Sequence, residues 1–418
     1  MSATAAPTTV RVSVGFDDGP SLAAHLRRHG GLPVVPAEQL LDAVDASGLL
    51  GRGGAGFPTG RKMRTVAAGK GATVVVANGC EGEPASGKDT LLLTRSPHLV
   101  LDGLQAAASA VGAKSAYLAV HAGSRAVPVL RAALAERRDR IGVELVLVPG
   151  RYVASEETAL VNLINTGTAL PTFTPPRPFE RGVRRRPTLI SNVESLAQVA
   201  LIARHGPSWF RTVGDADEPG TLLVTASGPP DIRRSVIEVP TGTTVGTTLA
   251  ATGVDLAQCQ AVLVGGYFGT WFDAAAADEL PLTHRGLRAA GGALGAGILV
   301  GLPRTACAVA ETARVATFLA EQSAGQCGPC LNGLPAIADA LTRLAHGGWH
   351  RELGPALDRW LTVVPGRGAC RHPDGAVRFV STALQVFAAD VAAHRSGRPC
   401  PAHRSAPVLP VPTPRSAR

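Results

Sequence analysis

Aromatic side chains make up only 4% of this 418-residue chain, charged ones only 17%, and methionine occurs twice. Lysine is just as scarce. Lys62, Lys70, Lys88 and Lys114 are the only lysines among 41 basic residues, so arginine carries most of the net charge of +9. Its clusters are Arg181 with Arg184, Arg185 and Arg186, and an acid-free tail holding Arg395, Arg398, Arg404, Arg415 and Arg418. With no aromatic ladder beside them, these arginines read as a solvated basic surface and not as a nucleic-acid groove. Long apolar runs are missing too. The most apolar stretch, Gly291 to Leu302, covers 12 residues and is rich in glycine, too short to span a bilayer. Met1 to Val14 has no basic region ahead of an apolar core, so no secretory signal is expected. That absence, with an odd count of seven cysteines, points to the cytoplasm and to thiols that are ligands or buried. The length predicts two or more domains with real cores, and the composition excludes collagen, coiled coil and wholesale disorder.

What is present alternates. Residues 1 to about 14 are small and polar and read as frayed. A helix is predicted over Ala37 to Ser47, a strand over Ala72 to Ala77 and a helix over His98 to Gly112. A strand over Ser115 to His121, a helix over Ala126 to Arg140 and a strand over Glu144 to Val148 follow. Strands and helices in turn, without hairpin signals, imply a parallel sheet covered by helices. From Thr221 short strands (Thr221 to Ser227, Ser235 to Val239, Ala261 to Gly265) with one helix, Val245 to Ala251, suggest a small α+β unit. Beyond Thr305 the period turns helical, giving a bundle with thiols at its loops. The tail beyond Arg395, rich in proline and arginine, is expected to be disordered.

Three features carry chemistry. GRGGAG, Gly51 to Gly56, has the composition of a loop that wraps phosphate with backbone N–H groups, with Arg52 and Lys62 adding charge. It fits neither the usual dinucleotide nor the P-loop spacing, and a plain turn is the other reading. Asn78, Glu81 and Glu83 follow a predicted buried strand, where open α/β sheets place ligands, and Glu156 and Glu157 open a further helix. Such carboxylates suit a ribityl chain, a ribose or a carboxamide, or else serve as helix N-terminal charges. Finally, Cys327-Gly-Pro-Cys330 with Cys370 offers three thiolates from two loops, suited to an iron–sulfur cluster or zinc, with buried unliganded thiols as the alternative.

Five segments stand in one order: SGLLGRGGAGFPTGRKM, NGCEGEPASGKD, YVASEETAL, PTLISNVES and AEQSAGQCGPCLNG. On these the chain resembles the NADH-binding flavoprotein (51-kDa-type) subunit of respiratory complex I and its soluble diaphorase relatives. The resemblance implies an α/β fold in which a Rossmann-like FMN-binding domain precedes a small ubiquitin-like (SLBB-type) α+β domain and a C-terminal helical iron–sulfur bundle. The expected boundaries are 1–36 (N-terminal segment), 37–215, 216–290, 291–395 and 396–418 (basic tail). It implies an FMN site of Gly51, Arg52, Gly53, Gly54, Lys62, Asn78, Glu81 and Asn192, with Glu156 near the flavin. For NADH it implies Phe57 as a stacking ring and Glu83, Tyr152 and Glu157 as hydrogen-bonding partners. Cys327, Cys330 and Cys370 would hold a [4Fe–4S]-type cluster, and a ferredoxin-like iron–sulfur protein, or a larger redox complex, would take the electrons.

The chain also departs from that pattern. Cys80 stands for a carboxylate, Ser155 for a glycine and Thr65 for an aromatic, and Thr174 and Arg177 replace a lysine and a second stacking aromatic. Arg177 invites either guanidinium stacking or an extra phosphate, hence NADPH. Ala324 replaces the first cluster cysteine. Cys307 lies 20 residues before Cys327, about 30 Å along a continuous helix, which leaves Cys400 or His372 as substitutes. A Cys3His set would suit zinc, and without a substitute the site would hold a three-iron or labile cluster, or none. The implied activity is an NAD(P)H-oxidising flavoprotein; the alternative is a degenerate paralogue acting as an electron-transfer or scaffold subunit.

Overall fold

A computed structural model describes residues 11–398, 400, 402 and 405–412. Its first sheet has four parallel strands: β1 (Thr73–Asn78), β2 (Ala113–His121), β3 (Val143–Val148) and β4 (Thr188–Asn192). They are ordered β3-β2-β1-β4. The run TVVVAN is buried on both faces except at its last residue, as a central parallel strand must be. From β1 the chain winds outward to β2 and β3 and then returns to the other side of β1 as β4. The switch point of the topology therefore lies between β1 and β4, where Asn78 and Asn192 are register partners at the strand C-termini.

The helix Pro97–Ala110 backs this sheet. Proline at its first turn, an Ala/Leu-rich interior and Gly112 at φ 67° just beyond its end account for its limits. Its close neighbour is the helix Val193–Phe210, and the two backbones approach at Gly103, where a Cβ would lie 1.8 Å from the Leu196 carbonyl oxygen. The helix expected to reach Arg140 stops at Ala135.

A second, mixed sheet follows: β5 (Thr221–Ser227), β6 (Ser235–Pro240), β7 (Cys259–Val264), β8 (Thr270–Asp273) and β9 (Ile298–Pro303). The order is β6-β5-β9-β7-β8, so the fully buried β9 is its centre, parallel to β5 and antiparallel to β7. This sheet thus reaches past the expected break at 290/291. A run of apolar residues among glycines does not reveal from local sequence which sheet it will join. The bundle comprises Ala308–Glu321, Leu334–His346, Leu353–Val363, His372–Val386 and Ala388–Arg395.

Both expectations of frayed ends need correction where the residues are described. The Glu238 carboxylate accepts the N–H groups of Arg11 (2.9 Å), Val12 (2.9 Å) and Ser13 (2.8 Å), and Val12 is fully buried. At the other end Glu311 accepts from the N–H groups of Val408 and Leu409, both at 3.0 Å. Arg314 donates to the Leu409 carbonyl at 2.9 Å, and Leu409 is buried. Satisfied backbone donors and one buried side chain hold each segment against its entropy. Residues 1–10 and 413–418 lie outside the described part.

Among the described residues no single helix is long and apolar enough to cross a membrane. One pair, His372–Val386 with Ala388–Arg395, passes on composition but is bent by 85°, and much of its apolar surface lies in the bundle core.

Because the contact at Gly103 is with main chain, Gly103→Ala should destabilise the fold by about 1–3 kcal/mol or more through overpacking. A urea midpoint equal to that of the unmodified chain would contradict this packing.

Candidate functional site

The glycine loop folds over the switch point. Its mouth is closed by the Gly51 N–H on the Phe57 carbonyl at 2.9 Å, and Gly54 and Gly56 turn it at φ 112° and 62°. The Arg52 N–H donates to Ser195 Oγ at 2.8 Å, and a Cβ at Gly53 would sit 3.3 Å from Asn192 Cβ. Gly53 is thus brought against Asn192, and Gly54 against Gly295, just ahead of the central strand of the second sheet. The Arg52 side chain is buried, yet its Nε and one Nη have no partner. The carboxylates of Glu194, Glu218 and Glu238 act on this guanidinium, and its two free donors, in a loop stripped of Cβ atoms, leave capacity for a further acceptor such as a phosphate oxygen.

Asn192 caps the helix Val193–Phe210: its Oδ1 accepts from the Glu194 N–H (3.0 Å) and Lys88 Nζ (3.3 Å), while its Nδ2 donates to Asp89 (2.8 Å). Lys88 is 1% exposed and lies 2.7 Å from Asp89 and 2.8 Å from Glu194. Burial opposes its charge, but the two carboxylates outweigh this and hold its pKa above the ordinary lysine value. Burial pushes Asp89 up to about 6, against the pull of Lys88. Lys88 and Asp89 lie inside one quoted motif and Glu194 inside another, but nothing in the spacing marks them as one network.

Glu81 departs from its expected part. Its carboxylate accepts from Ser86 Oγ (2.6 Å) and from the N–H groups of Asp89 (3.1 Å) and Thr90 (3.0 Å), so it caps the helix Lys88–Arg95. Asn78 Nδ2 donates to the Ser155 carbonyl at 2.9 Å, tying β1 to the turn before Glu156.

Glu83 points toward the second sheet and the bundle. It accepts from Tyr152 Oη and from the Tyr267 N–H, both at 2.9 Å. Tyr267 sits in the Gly265-Gly266-Tyr267 turn after β7, where Gly266 has φ 80°; no sequence signal singles it out. Burial raises the Glu83 pKa to about 7, with the Tyr267 and Tyr152 hydrogen bonds working against the rise. Glu156 caps the helix Glu157–Thr166 through the N–H groups of Thr158 (2.8 Å) and Ala159 (3.1 Å), and burial pushes its pKa up. Glu157 faces Lys62 at 3.8 Å and Arg177 at 3.7 Å. Burial lowers the Lys62 pKa while Glu157 offsets this. Phe57 is 47% exposed, an apolar ring at the rim.

The thiols lie next to this acidic turn. The Tyr152 ring packs on Phe268 (4.9 Å between centroids) and on His372 (5.7 Å), two residues from Cys370. Burial raises the Cys370 thiol pKa, and nearby Glu156 adds to the effect. Cys327 Sγ accepts the Ala369 N–H at 3.4 Å. Cys330, pushed up to about 11 by burial and by the sulfurs of Cys370 and Cys327, accepts hydrogen bonds from Ser323 and from the backbone of Ala324. Cys327, Cys330 and Cys370 therefore converge. Their sulfurs do not all lie within 4.8 Å of one another, a spread wider than the about 3.8 Å between thiolates on one zinc ion.

Of the two expected substitutes for the fourth thiolate, Cys400 is not in place: it gathers with Cys307 and His394 instead. His372 Nε2 is bonded to the Leu319 carbonyl at 2.7 Å, while its buried Nδ1 has no partner and keeps a lone pair for a ligand. Packing of the tail on the bundle, which sequence spacing does not encode, moves Cys400 to that second group.

Residues 44–201 match the Nuo51 FMN-binding domain, and residues 310–394 match the NADH-ubiquinone oxidoreductase-F iron-sulfur binding region. One NADH-quinone oxidoreductase F subunit of Rhizobium meliloti is 32% identical over 386 residues, covering 88% of this chain and 91% of that protein. Its counterpart in Streptomyces coelicolor is 30% identical, covering 90% and 88%. This chain belongs to the family of NADH-quinone oxidoreductase F subunits. A chain of the NAD+-reducing [NiFe]-hydrogenase in the H2-reduced state superposes with a TM-score of 0.79 at 30% identity, covering 87% of this chain. The present chain spans 63% of the length of that hydrogenase chain. In this member of the family the matched flavin-binding segment contains the glycine loop, Asn78, Glu83 and Asn192, and the matched iron–sulfur segment contains Cys327, Cys330 and Cys370.

Glu83 allows a test without any ligand. Its pKa rises from 4.5 to about 7 on folding, so the folded state holds the proton more tightly than the unfolded state. Its stability contribution is complete below the unfolded value and is lost as pH climbs through the folded one. Between pH 5 and pH 8, Glu83→Gln should therefore gain about 1–3 kcal/mol relative to the unmodified chain. Parallel urea stabilities of the two proteins across that range would refute it.

Proposed function

We propose that this chain is an NADH-oxidising flavoprotein subunit that binds FMN at the β1/β4 switch point and an iron–sulfur cluster on Cys327, Cys330 and Cys370. It would pass electrons to an iron–sulfur protein partner in a larger cytoplasmic redox assembly. The observation that carries this reading is the continuity from Glu83 through the Tyr152 ring to His372 and the Cys370 loop, which makes the nucleotide crevice and the thiols one packed body. FMN, when bound, supplies acceptance of one hydride, an electron pair, and release of electrons one at a time.

The residues' own parts follow from their chemistry. Arg52 and the N–H groups of Gly53 and Gly54 would hold the phosphate, and Asn78 and Asn192 would orient the polar chain above the strand ends. Phe57 would offer its exposed face to a nucleotide ring, and Glu157, with Lys62 beside it, would bind ribose hydroxyls. Glu83, titrating near neutrality beside the Tyr152 hydroxyl, can take or return the proton that accompanies flavin reduction or reoxidation. Arg177, 3.7 Å from Glu157, would draw a 2′-phosphate and so admit NADPH beside NADH. The mixed sheet is read as the ubiquitin-like unit of the family plan, delivering the Tyr267 N–H to Glu83. Leu331, 57% exposed beside Cys330, offers an apolar contact for the partner, and the charge of +9 favours an acidic one. Ala324 contributes no thiolate, so the cluster's fourth corner is left to the unpartnered Nδ1 of His372, to solvent or to a small ligand.

Anaerobic mixing of the flavin-loaded, cluster-reconstituted chain with NADH or NADPH tests this. Rapid flavin bleaching followed by an EPR-active cluster is expected; flavin that stays oxidised with both reductants would leave only the electron-transfer or scaffold reading. Arg52→Met should weaken FMN binding about ten- to hundredfold, the worth of a charge-assisted hydrogen bond. Ala324→Cys should raise bound iron to about four per chain and slow bleaching of the cluster in air.

A further inference from the structure

Away from the flavin crevice and the cluster loops, Cys307, His394 and Cys400 bring one ligand atom each within 4.8 Å of one another. Cys307 stands at the N-cap of the helix Ala308–Glu321, His394 is in the last turn of the helix Ala388–Arg395, and Cys400 follows on the C-terminal segment. We propose that these three residues form a Cys2His zinc site that clips the C-terminal segment to the bundle, with a solvent oxygen at the fourth position.

The imidazole is already set for a ligand. Its Nδ1–H donates to the Leu344 carbonyl at 3.1 Å, which leaves the lone pair of Nε2 facing Cys307 Sγ at 3.5 Å. Metal-binding histidines are commonly oriented by such a bond to a backbone carbonyl. Around tetrahedral zinc, with about 2.3 Å to sulfur and about 2.0–2.1 Å to nitrogen, the S···N edge is about 3.6 Å. The Cys307–His394 separation thus already has the length of that edge. Cys307 and Cys400 are in sulfur–sulfur contact, which completes a triangle of two soft donors and one borderline donor. The long contact from the Cys400 N–H to Nε2 (3.3 Å) is the one the ion would displace. Zn2+ takes the place of the two thiol protons, which leave to solvent, and no electron is transferred. Cys307 and His394 are buried and Cys400 is partly exposed, so the ion has an entry path.

The chain downstream supports a clip. Ser405 Oγ donates to the Thr305 carbonyl (2.9 Å) and Tyr267 Oη to the Pro410 carbonyl (2.6 Å), so residues on both sides of the bundle's edge are held against it.

The test uses the full chain, without a polyhistidine tag, carrying its cluster and passed over a chelating resin. About one zinc per chain is expected in addition to iron and sulfide. Cys400→Ser and His394→Gln should each lower zinc affinity at least tenfold while leaving iron and sulfide unchanged, and Cys330→Ser should do the reverse. Cobalt should give the spectrum of a tetrahedral thiolate-ligated ion, lost in Cys400→Ser. Should a variant fail to fold, zinc protection of Cys400 from alkylation, read by peptide mass, needs no substitution. Failure to bind zinc or cobalt, zinc lost only with Cys330→Ser, or a Cys307–Cys400 disulfide in anaerobically purified protein would each overturn the site.

Discussion

The buried ammonium of Lys88 is the constraint on which the rest is arranged. Alone, such a charge would not survive burial; here Asp89, Glu194 and Asn192 surround it at 2.7, 2.8 and 3.3 Å. Removing one member of such a buried set costs several kcal/mol, so its geometry is exacting. Asp89 begins one helix, Asn192 and Glu194 begin another, and the other Glu194 oxygen accepts the Leu223 N–H of β5 at 2.8 Å. One knot of charge therefore joins both strand ends at the switch point to the second sheet.

From that knot the site takes its composite character. The glycine loop is seated because Ser195, next to Glu194, accepts the Arg52 N–H. Glu83 is held by a tyrosine from the first domain and a backbone N–H from the second sheet, and the tyrosine ring continues to the cysteine loop. Three layers of the molecule contribute to one crevice. A carboxylate that titrates near neutrality and a set of thiols are thereby linked through one packed ring although Glu83 and Cys370 are far apart in the chain.

Much of this is legible in the chain itself, and the departures have a common cause. The helix Ala37–Ser47 and strands β1, β2, β3, β5, β6 and β7 announce themselves through local pattern, whereas β4, β8 and β9 do not, and the glycine loop and thiol motif show through composition. Glu81 reads as a ligand-facing group because position after a strand cannot say that three donors of the next turn will occupy it. Arg11 to Ser13 and the chain around Leu409 read as loose because their partners, Glu238 and Glu311, are more than 90 residues away. Cys400 cannot be assigned to a group of donors until the tail is packed.

By itself, then, the sequence determined the alternating first unit and the helical bundle, the family of the chain and the chemical types at its site, since these depend on short-range pattern and on motifs in linear order. The tertiary structure alone decided which carboxylate stays available near neutrality, which donors of Arg52 remain free, and that Cys307, His394 and Cys400 stand apart from Cys327, Cys330 and Cys370. Those outcomes follow from burial and hydrogen-bond competition between distant segments. Such competition is resolved only when the whole chain has packed.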